Sequence, residues 1–220
     1  MYRIVFKSPF DICGALFGLF LLSPVLLIIA VLIRIQMGSP VLFKQERLGK
    51  NGKIFKIFKF RTMIDNAITM GTGLRTDAKD PRVTKIGNFL RKTSLDELPQ
   101  LFNILRGEMS FIGPRPPMPY HPYKYEDYDE TQKKRFLIRP GISGYAQVIY
   151  RTNASWEDRI SMDVFYVENI SFFFDLHITW LTIVSIISKR NIFPDENRIK
   201  DIDKELETNR PDDVTNSDKK

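Results

Sequence analysis

ICGALFGLFLLSPVLLIIAVLI, residues 12–33, decides the fold: across these 22 positions the only polar side chain is Ser23. An apolar helix of that length matches a hydrocarbon core of about 30 Å, so the chain carries a membrane-embedded helix. The run is longer than the roughly 7–15 apolar residues of a cleaved signal peptide, and no small-x-small cleavage site follows it. Pro24 lacks an N–H and its ring collides with the Phe20 carbonyl, so a bend is expected there. The Ser23 hydroxyl is placed to take up a freed carbonyl. Cations lie on both flanks, Arg3 and Lys7 before and Arg34, Lys44, Arg47 and Lys50 after, which leaves little of the asymmetry that orients a simple span. Two arrangements follow. Either the helix breaks at Ser23-Pro24 and returns to the face it entered, or it is a Pro-kinked single span; the residues alone leave both open.

Downstream, residues 41–45 (VLFKQ) have β character, Asn51-Gly52 is a two-residue turn signal, and residues 54–60 (IFKIFKF) return as a second apolar-basic run, which predicts a β-hairpin. Lys50, Lys53, Lys56 and Lys59 recur every third residue. They suit a solvated face or, beside a bilayer, contact with anionic headgroups. Residues 59–63 (KFRTM) offer Lys59 and Arg61 as a first phosphate grip.

Residues 93–100 (TSLDELPQ) hold the most reactive pair, Asp96 and Glu97. Before them, residues 83–91 predict a short helix with Ile86, Phe89 and Leu90 on one buried face. The next helix has two candidate starts: Ser94 as cap with Glu97 closing a capping box, or Asp96 as cap with Pro99 in the tolerated first turn. The second is preferred, because the first makes Pro99 forfeit an intrahelical hydrogen bond. In either case the helix dipole favours ionised carboxylates, as a nucleophile or a magnesium ligand requires. Leu98, Leu101, Phe102 and Leu105 form the expected core stripe.

Arg115, set between prolines in residues 113–117 (GPRPP), is pre-organised for bidentate phosphate capture. Residues 120–128 predict a tyrosine-rich loop, either over the site or on the surface without a role in it; the residues leave both open. Residues 139–147 (RPGISGYAQ) predict a Pro-Gly turn with glycines suited to close backbone approach. Two helices follow between Trp156 and Ile187, the first carrying Asp163 and the second beginning among Phe172, Phe173 and Phe174. The tail, residues 195–220, has nine acids against six bases and suits a solvated, disordered segment.

Composition bounds the rest. At 220 residues and 43% hydrophobic the chain makes one sizeable body with attachments. Its net charge of +7 calls for an anionic partner. No groove-reading motif accompanies that charge, so nucleic acid is not expected. A single cysteine, Cys13, and two distant histidines, His121 and His177, rule out a disulfide framework or a zinc cluster within the chain. Gly71-Thr72-Gly73 lacks the third glycine of a dinucleotide fingerprint.

In order and spacing the motifs resemble the bacterial sugar transferase family of small monotopic phosphoglycosyl transferases. They are Ser23-Pro24, GSPV at 38–41, QERLG at 45–49, KFRTM at 59–63, LRKTSLDELPQL at 90–101, MSFIGPRP at 109–116, RPGISGYAQ at 139–147, and Asp163 with YVEN at 166–169. Tyr145 stands where the family often has Trp, and Tyr150-Arg151 where Gly-Arg is frequent. The resemblance implies a mainly α (α+β) fold: a re-entrant membrane helix in residues 1–38, then a catalytic domain in residues 39–194 with a small β-hairpin and a compact helical body on the membrane surface. It implies the bacterial inner membrane, with the catalytic body facing the cytoplasm. It also implies that Asp96 attacks a UDP-sugar, expels UMP and passes the phosphosugar to polyprenol (undecaprenyl) phosphate. Mg2+ held by Asp96 and Glu97 would serve the diphosphate, with Glu97 handling metal or proton. Lys59, Arg61, Arg91 and Arg115 would contact phosphate, and Asp163 would be a further substrate-side residue. The implied partners are UDP-sugar, polyprenol phosphate and the lipid bilayer; a homodimer is compatible with the chain.

Overall fold

The computed structural model describes residue 2, residues 6–64, residue 67, residues 80–150 and residues 154–188. The expected tail at 195–220 lies outside the described residues. Among the described residues the protein is mainly helical, with two small two-stranded sheets.

The apolar run forms α1 (Lys7–Met37), 31 residues long, the one helix among the described residues long and apolar enough to cross a membrane. No break divides it at Ser23-Pro24. The Ser23 hydroxyl donates to the Phe20 carbonyl at 2.8 Å, satisfying the group that Pro24 deprives of its amide partner. One stripe of α1 rests on the body along nearly its whole length. Ala15, Leu19 and Leu22 pack with Ile57, Leu101, Ile104 and Met109, and Leu26, Ile29, Ile33 and Met37 pack with Phe60 and Leu90. These positions recur at three- and four-residue steps, the seam a packed helix presents. The opposite face, with Phe17, Phe20, Leu21, Leu27 and Ile35, is exposed. The first turns of α1 are held by polar contacts: Lys7 Nζ lies 2.5 Å from Asp175 Oδ2, and the Phe111 amide donates to Asp11 Oδ1 at 3.1 Å.

The hairpin is as expected. β1 (Leu42–Leu48) and β2 (Ile54–Phe60) pair antiparallel, Leu42 opposite Phe60 and Leu48 opposite Ile54. At the turn, Asn51 and Gly52 both have positive φ, as a type I′ turn requires. Within residues 120–128, Tyr120 acts on Arg47 by charge, while the tyrosines further on turn to the hairpin tip. Tyr125 lies against Gly52, and Tyr125 and Tyr128 meet Phe136 edge-on at 5.3 and 5.1 Å. The tyrosine-rich loop therefore braces the hairpin tip, since three rings bury more area together than spread over an open mouth.

The short helices α2 (Lys85–Lys92) and α3 (Gln100–Leu105) follow. Their expected core stripes are corrected: Phe89 is 58% exposed and Phe102 45% exposed. Leu90, Leu101 and Ile104 are buried as those helices meet α1 and β2, which turns both phenylalanines outward. Beyond α3, β3 (Ser110–Ile112) pairs in parallel with β4 (Gly141–Ser143). The expected turn at 139–147 thus holds a strand and then α5 (Tyr145–Tyr150). The close glycine approach is present: a Cβ on Gly141 would lie 2.1 Å from the Gly113 nitrogen. The one-turn helix α4 (Glu130–Lys133) precedes β4, and α6 (Trp156–Glu168) and α7 (Phe172–Ser188) complete the body.

Candidate active site

Asp96 and Glu97 sit in a 3-10 turn, Leu95–Glu97, rather than in the first turn of an α-helix. Pro99 occupies the N-cap position of α3 and Ser94 precedes the acids with φ 57°. Ser94 makes no side-chain cap, and Asp96 lies inside the turn and not at the N-cap of α3, so both candidate helix starts are replaced by a tighter turn. Pro99 still stands where its missing N–H costs nothing. With α3 only six residues long, neighbouring charges set the state of the acids more than a helix dipole does.

Those charges come from the hairpin. Lys59, next to last in β2, places Nζ 2.5 Å from Glu97 Oε1. The two acids then diverge. Burial raises Asp96 above the usual carboxylate range, with the Lys59 charge pulling against it and Glu97 adding to it. Glu97 is half-buried, and although its desolvation pushes upward, Lys59 and Arg115, helped by Arg47, outweigh it and hold Glu97 below that range. Adjacent carboxylates separated in this way are suited to separate roles. Among the described residues Asp96 has no ion-pair partner. Arg91, the cation beside it in α2, acts on Asp96 by charge and is oriented by donating Nε to Thr62 Oγ1 at 2.9 Å.

Asn103 fixes the geometry between the acids and the hairpin. Fully buried, its side chain accepts from the Phe58 amide at 3.0 Å and donates to the Lys56 carbonyl at 2.8 Å. It completes the open edge of β2 as another strand would, and so clamps α3 against Lys59.

An open, shallow cleft passes in front of Glu97, lined by Lys59, Arg47, Arg115, Gln100, Ile57 and Ile142. Arg47 was not among the expected phosphate contacts. In the hairpin register Gln45 faces Ile57 and Arg47 faces Phe55, so Arg47 shares the strand face of Ile57 and Lys59; the turn and the alternation carried that signal. Arg47 donates Nη2 to Gln45 Oε1 at 2.6 Å and Nη1 to the Pro116 carbonyl at 3.2 Å. Burial, with Arg115 nearby, lowers its pKa to about 10. Three cations against one paired acid make the cleft a site for an anionic ligand.

The structure thus brings together Asp96, Glu97, Lys59, Arg91 and Arg115. Two expected residues stand apart. Arg61 is buried and donates to the Met37 carbonyl at the end of α1, a cation placed on a helix C-terminus. Asp163 is 2% exposed and pairs with Arg135 at 2.6 Å, and the Arg115 charge also acts on it. Among the described residues no group of three or more His, Cys, Asp or Glu could hold a metal. Two adjacent carboxylates nevertheless suit magnesium, which takes one or two acids together with substrate phosphates.

A long apolar helix packed on a body whose cationic cleft is lined by Glu97, with Asp96 next to it in the chain, suits a protein that takes an anionic ligand. The family model for bacterial sugar transferases matches residues 2–189, and the chain belongs to that family. It is similar to an uncharacterized sugar transferase, EpsL, of Bacillus subtilis, at 43% identity over 86% of this chain and 91% of the relative. It is also similar to the UDP-glucose:undecaprenyl-phosphate glucose-1-phosphate transferase of Escherichia coli, 42% identical over 80% of this chain and 39% of the relative. The UDP-N-acetylgalactosamine-undecaprenyl-phosphate N-acetylgalactosaminephosphotransferase of Aeromonas hydrophila is 40% identical over 83% of this chain and 44% of its own length. The chain thus spans nearly all of the first relative and less than half of the other two.

Proposed function

We propose that the protein is a phosphoglycosyl transferase of the cytoplasmic membrane, moving a sugar-1-phosphate from a UDP-sugar to undecaprenyl phosphate at the first membrane step of an extracellular polysaccharide. The names of the Escherichia coli and Aeromonas relatives support the donor and acceptor classes, and an exopolysaccharide production protein of Rhizobium leguminosarum, 40% identical, supports the setting. One observation carries the division of labour: Lys59 pairs with Glu97, and among the described residues no cation pairs with Asp96.

A carboxylate oxygen of Asp96 attacks the phosphorus that carries the sugar. The bond from that phosphorus to the bridging oxygen breaks, UMP departs with the electron pair, and an acyl phosphosugar remains on Asp96. A phosphate oxygen of undecaprenyl phosphate attacks the same phosphorus, releasing Asp96 and giving the diphosphate-linked sugar. Its raised pKa makes the Asp96 carboxylate the more basic of the two acids. Arg91, Arg115, Arg47 and Lys59 spread the charge that develops on the transferring group. Magnesium, bound through Asp96 or Glu97 with the diphosphate, would neutralise that group and the leaving UMP.

In this reading α1 lies within one leaflet as a re-entrant element, and both of its ends meet a cytoplasmic body. The continuous stripe from Ala15 to Met37 on that body supports it, because a helix crossing the bilayer would carry the middle of that stripe away from a body in water. The test of the chemistry is intact-protein mass measurement after incubation with a UDP-sugar alone. A phosphosugar adduct with UMP release, absent in Asp96→Asn, is expected. UMP release only when undecaprenyl phosphate is present, without adduct, would reduce Asp96 to a metal ligand.

A further inference from the structure

Residues 114–117, Pro-Arg-Pro-Pro, form a strap with one backbone donor, because proline has no N–H. Its four consecutive carbonyls all accept hydrogen bonds from elsewhere in the fold. The Pro114 carbonyl accepts from the Gly141 amide at 3.0 Å and that of Pro117 from the Leu48 amide at 2.9 Å. The two between them are served by side chains: Arg115 by Arg135 Nη2 at 3.0 Å and Pro116 by Arg47 Nη1 at 3.2 Å. The strap is thus pinned from β1, from β4 and from the segment before β4. Arg115 itself is exposed towards the cleft.

Arg135 is 2% exposed and wedged against Tyr128 and Phe136, its guanidinium carbon 6.0 and 5.4 Å from the ring centres. The Nη2 that holds the Arg115 carbonyl also meets Asp163 Oδ2 at 2.6 Å. An enclosed ion pair of this kind adds little stability over apolar residues of similar size. What apolar residues would not supply is a donor aimed at the Arg115 carbonyl. Asp163 holds the guanidinium in that direction and balances its charge, while burial pushes Asp163 up to about 6.

We infer that Arg135 and Asp163 are positioning residues for Arg115: they fix its backbone so that its guanidinium meets the transferring phosphate, without touching substrate themselves. The inference rests on the phosphoglycosyl transfer proposed above. It also accounts for an acid at 163 buried away from the cleft.

The test is a double-substitution cycle on the full chain in lipid nanodiscs, reading UMP release from UDP-sugar and undecaprenyl phosphate together with thermal unfolding. Arg135→Met keeps the apolar bulk and removes the donor; Asp163→Asn keeps the shape and removes the charge. Arg135→Met should lower kcat by about 100-fold, the effect of a displacement near 1 Å at a phosphate contact, with a much smaller change in KM. In an Arg115→Ala background the same substitution should cost almost nothing further. Asp163→Asn should act in the same direction. Retained activity in Arg135→Met, or an undiminished loss in the Arg115→Ala background, would overturn the inference. So would unfolding of both single variants at temperatures where the wild type is folded, which would make the pair part of the scaffold only. Absence of UMP release by the wild type over a panel of UDP-sugars would instead remove the transferase reading itself.

Discussion

Lys59 Nζ stands 2.5 Å from Glu97 Oε1, and this contact between a strand and a turn separates two carboxylates adjacent in sequence. Lys59 pulls both acids down, while Glu97 pushes Asp96 up. Lys59→Met should therefore move the acidic limb of the kcat/KM profile to higher pH, and Glu97→Gln should move it to lower pH. Opposite displacements in UMP-release profiles are the expected result; a shift in one direction for both would break the assignment of that limb to Asp96.

The same pairing links to stability. Glu97 is held below its unfolded value, so its contribution is present above the ordinary glutamate pKa near 4.3 and is lost as pH falls through the lower, folded value. Thermal melts of Glu97→Gln should thus converge on those of the wild type in acid and separate from them at neutral pH.

Asp96→Asn should reduce turnover by about 1000-fold or more, as removal of a nucleophile does, while binding of UDP-sugar by calorimetry persists because the cations remain. Loss of binding with activity retained would contradict the assignment.

Asn103→Ala removes the partners of the Phe58 amide and the Lys56 carbonyl. Two buried backbone groups left unsatisfied should cost about 2–4 kcal/mol, read by chemical denaturation in detergent, and turnover should fall because α3 no longer holds Glu97 to Lys59.

Membrane placement is open to labelling. With Cys13 replaced by Ser, single cysteines at Phe6 and Lys50, both exposed, should react with an impermeant maleimide only after the cytoplasmic face is opened. Labelling of the two from opposite sides would refute the re-entrant placement.

Much of this was legible in the chain because the features were local. Asn51-Gly52 specifies its turn, Ser23 answers the proline beside it, and the glycines at 113 and 141 mark a backbone approach that no Cβ permits. What escaped depends on partners distant in sequence. Asn103 reads as a polar helix position until β2 lies beside it, and Arg135 reads as a surface cation until Asp163, 28 residues away, closes on it. Phe89 and Phe102 follow the apolar periodicity of buried positions, and the periodicity cannot say that α1 and β2 occupy the other side. Arg61 looked like part of the phosphate grip beside Lys59, but β2 ends at Phe60 and Arg61, just beyond the strand, reaches the carbonyl at the end of α1.

The stripe on α1 makes the membrane element a wall of the molecule and not a tether. Two of the four hydrophobic clusters are closed by its side chains, and Asp175 draws its cation from Lys7. A chain shortened to begin after Met37 would open both clusters to water and strand a buried acid without its counter-charge. A fragment lacking α1 is therefore not expected to keep this fold, and under the proposed membrane placement the stability of the body depends on the lipid or detergent that surrounds the outer face of α1.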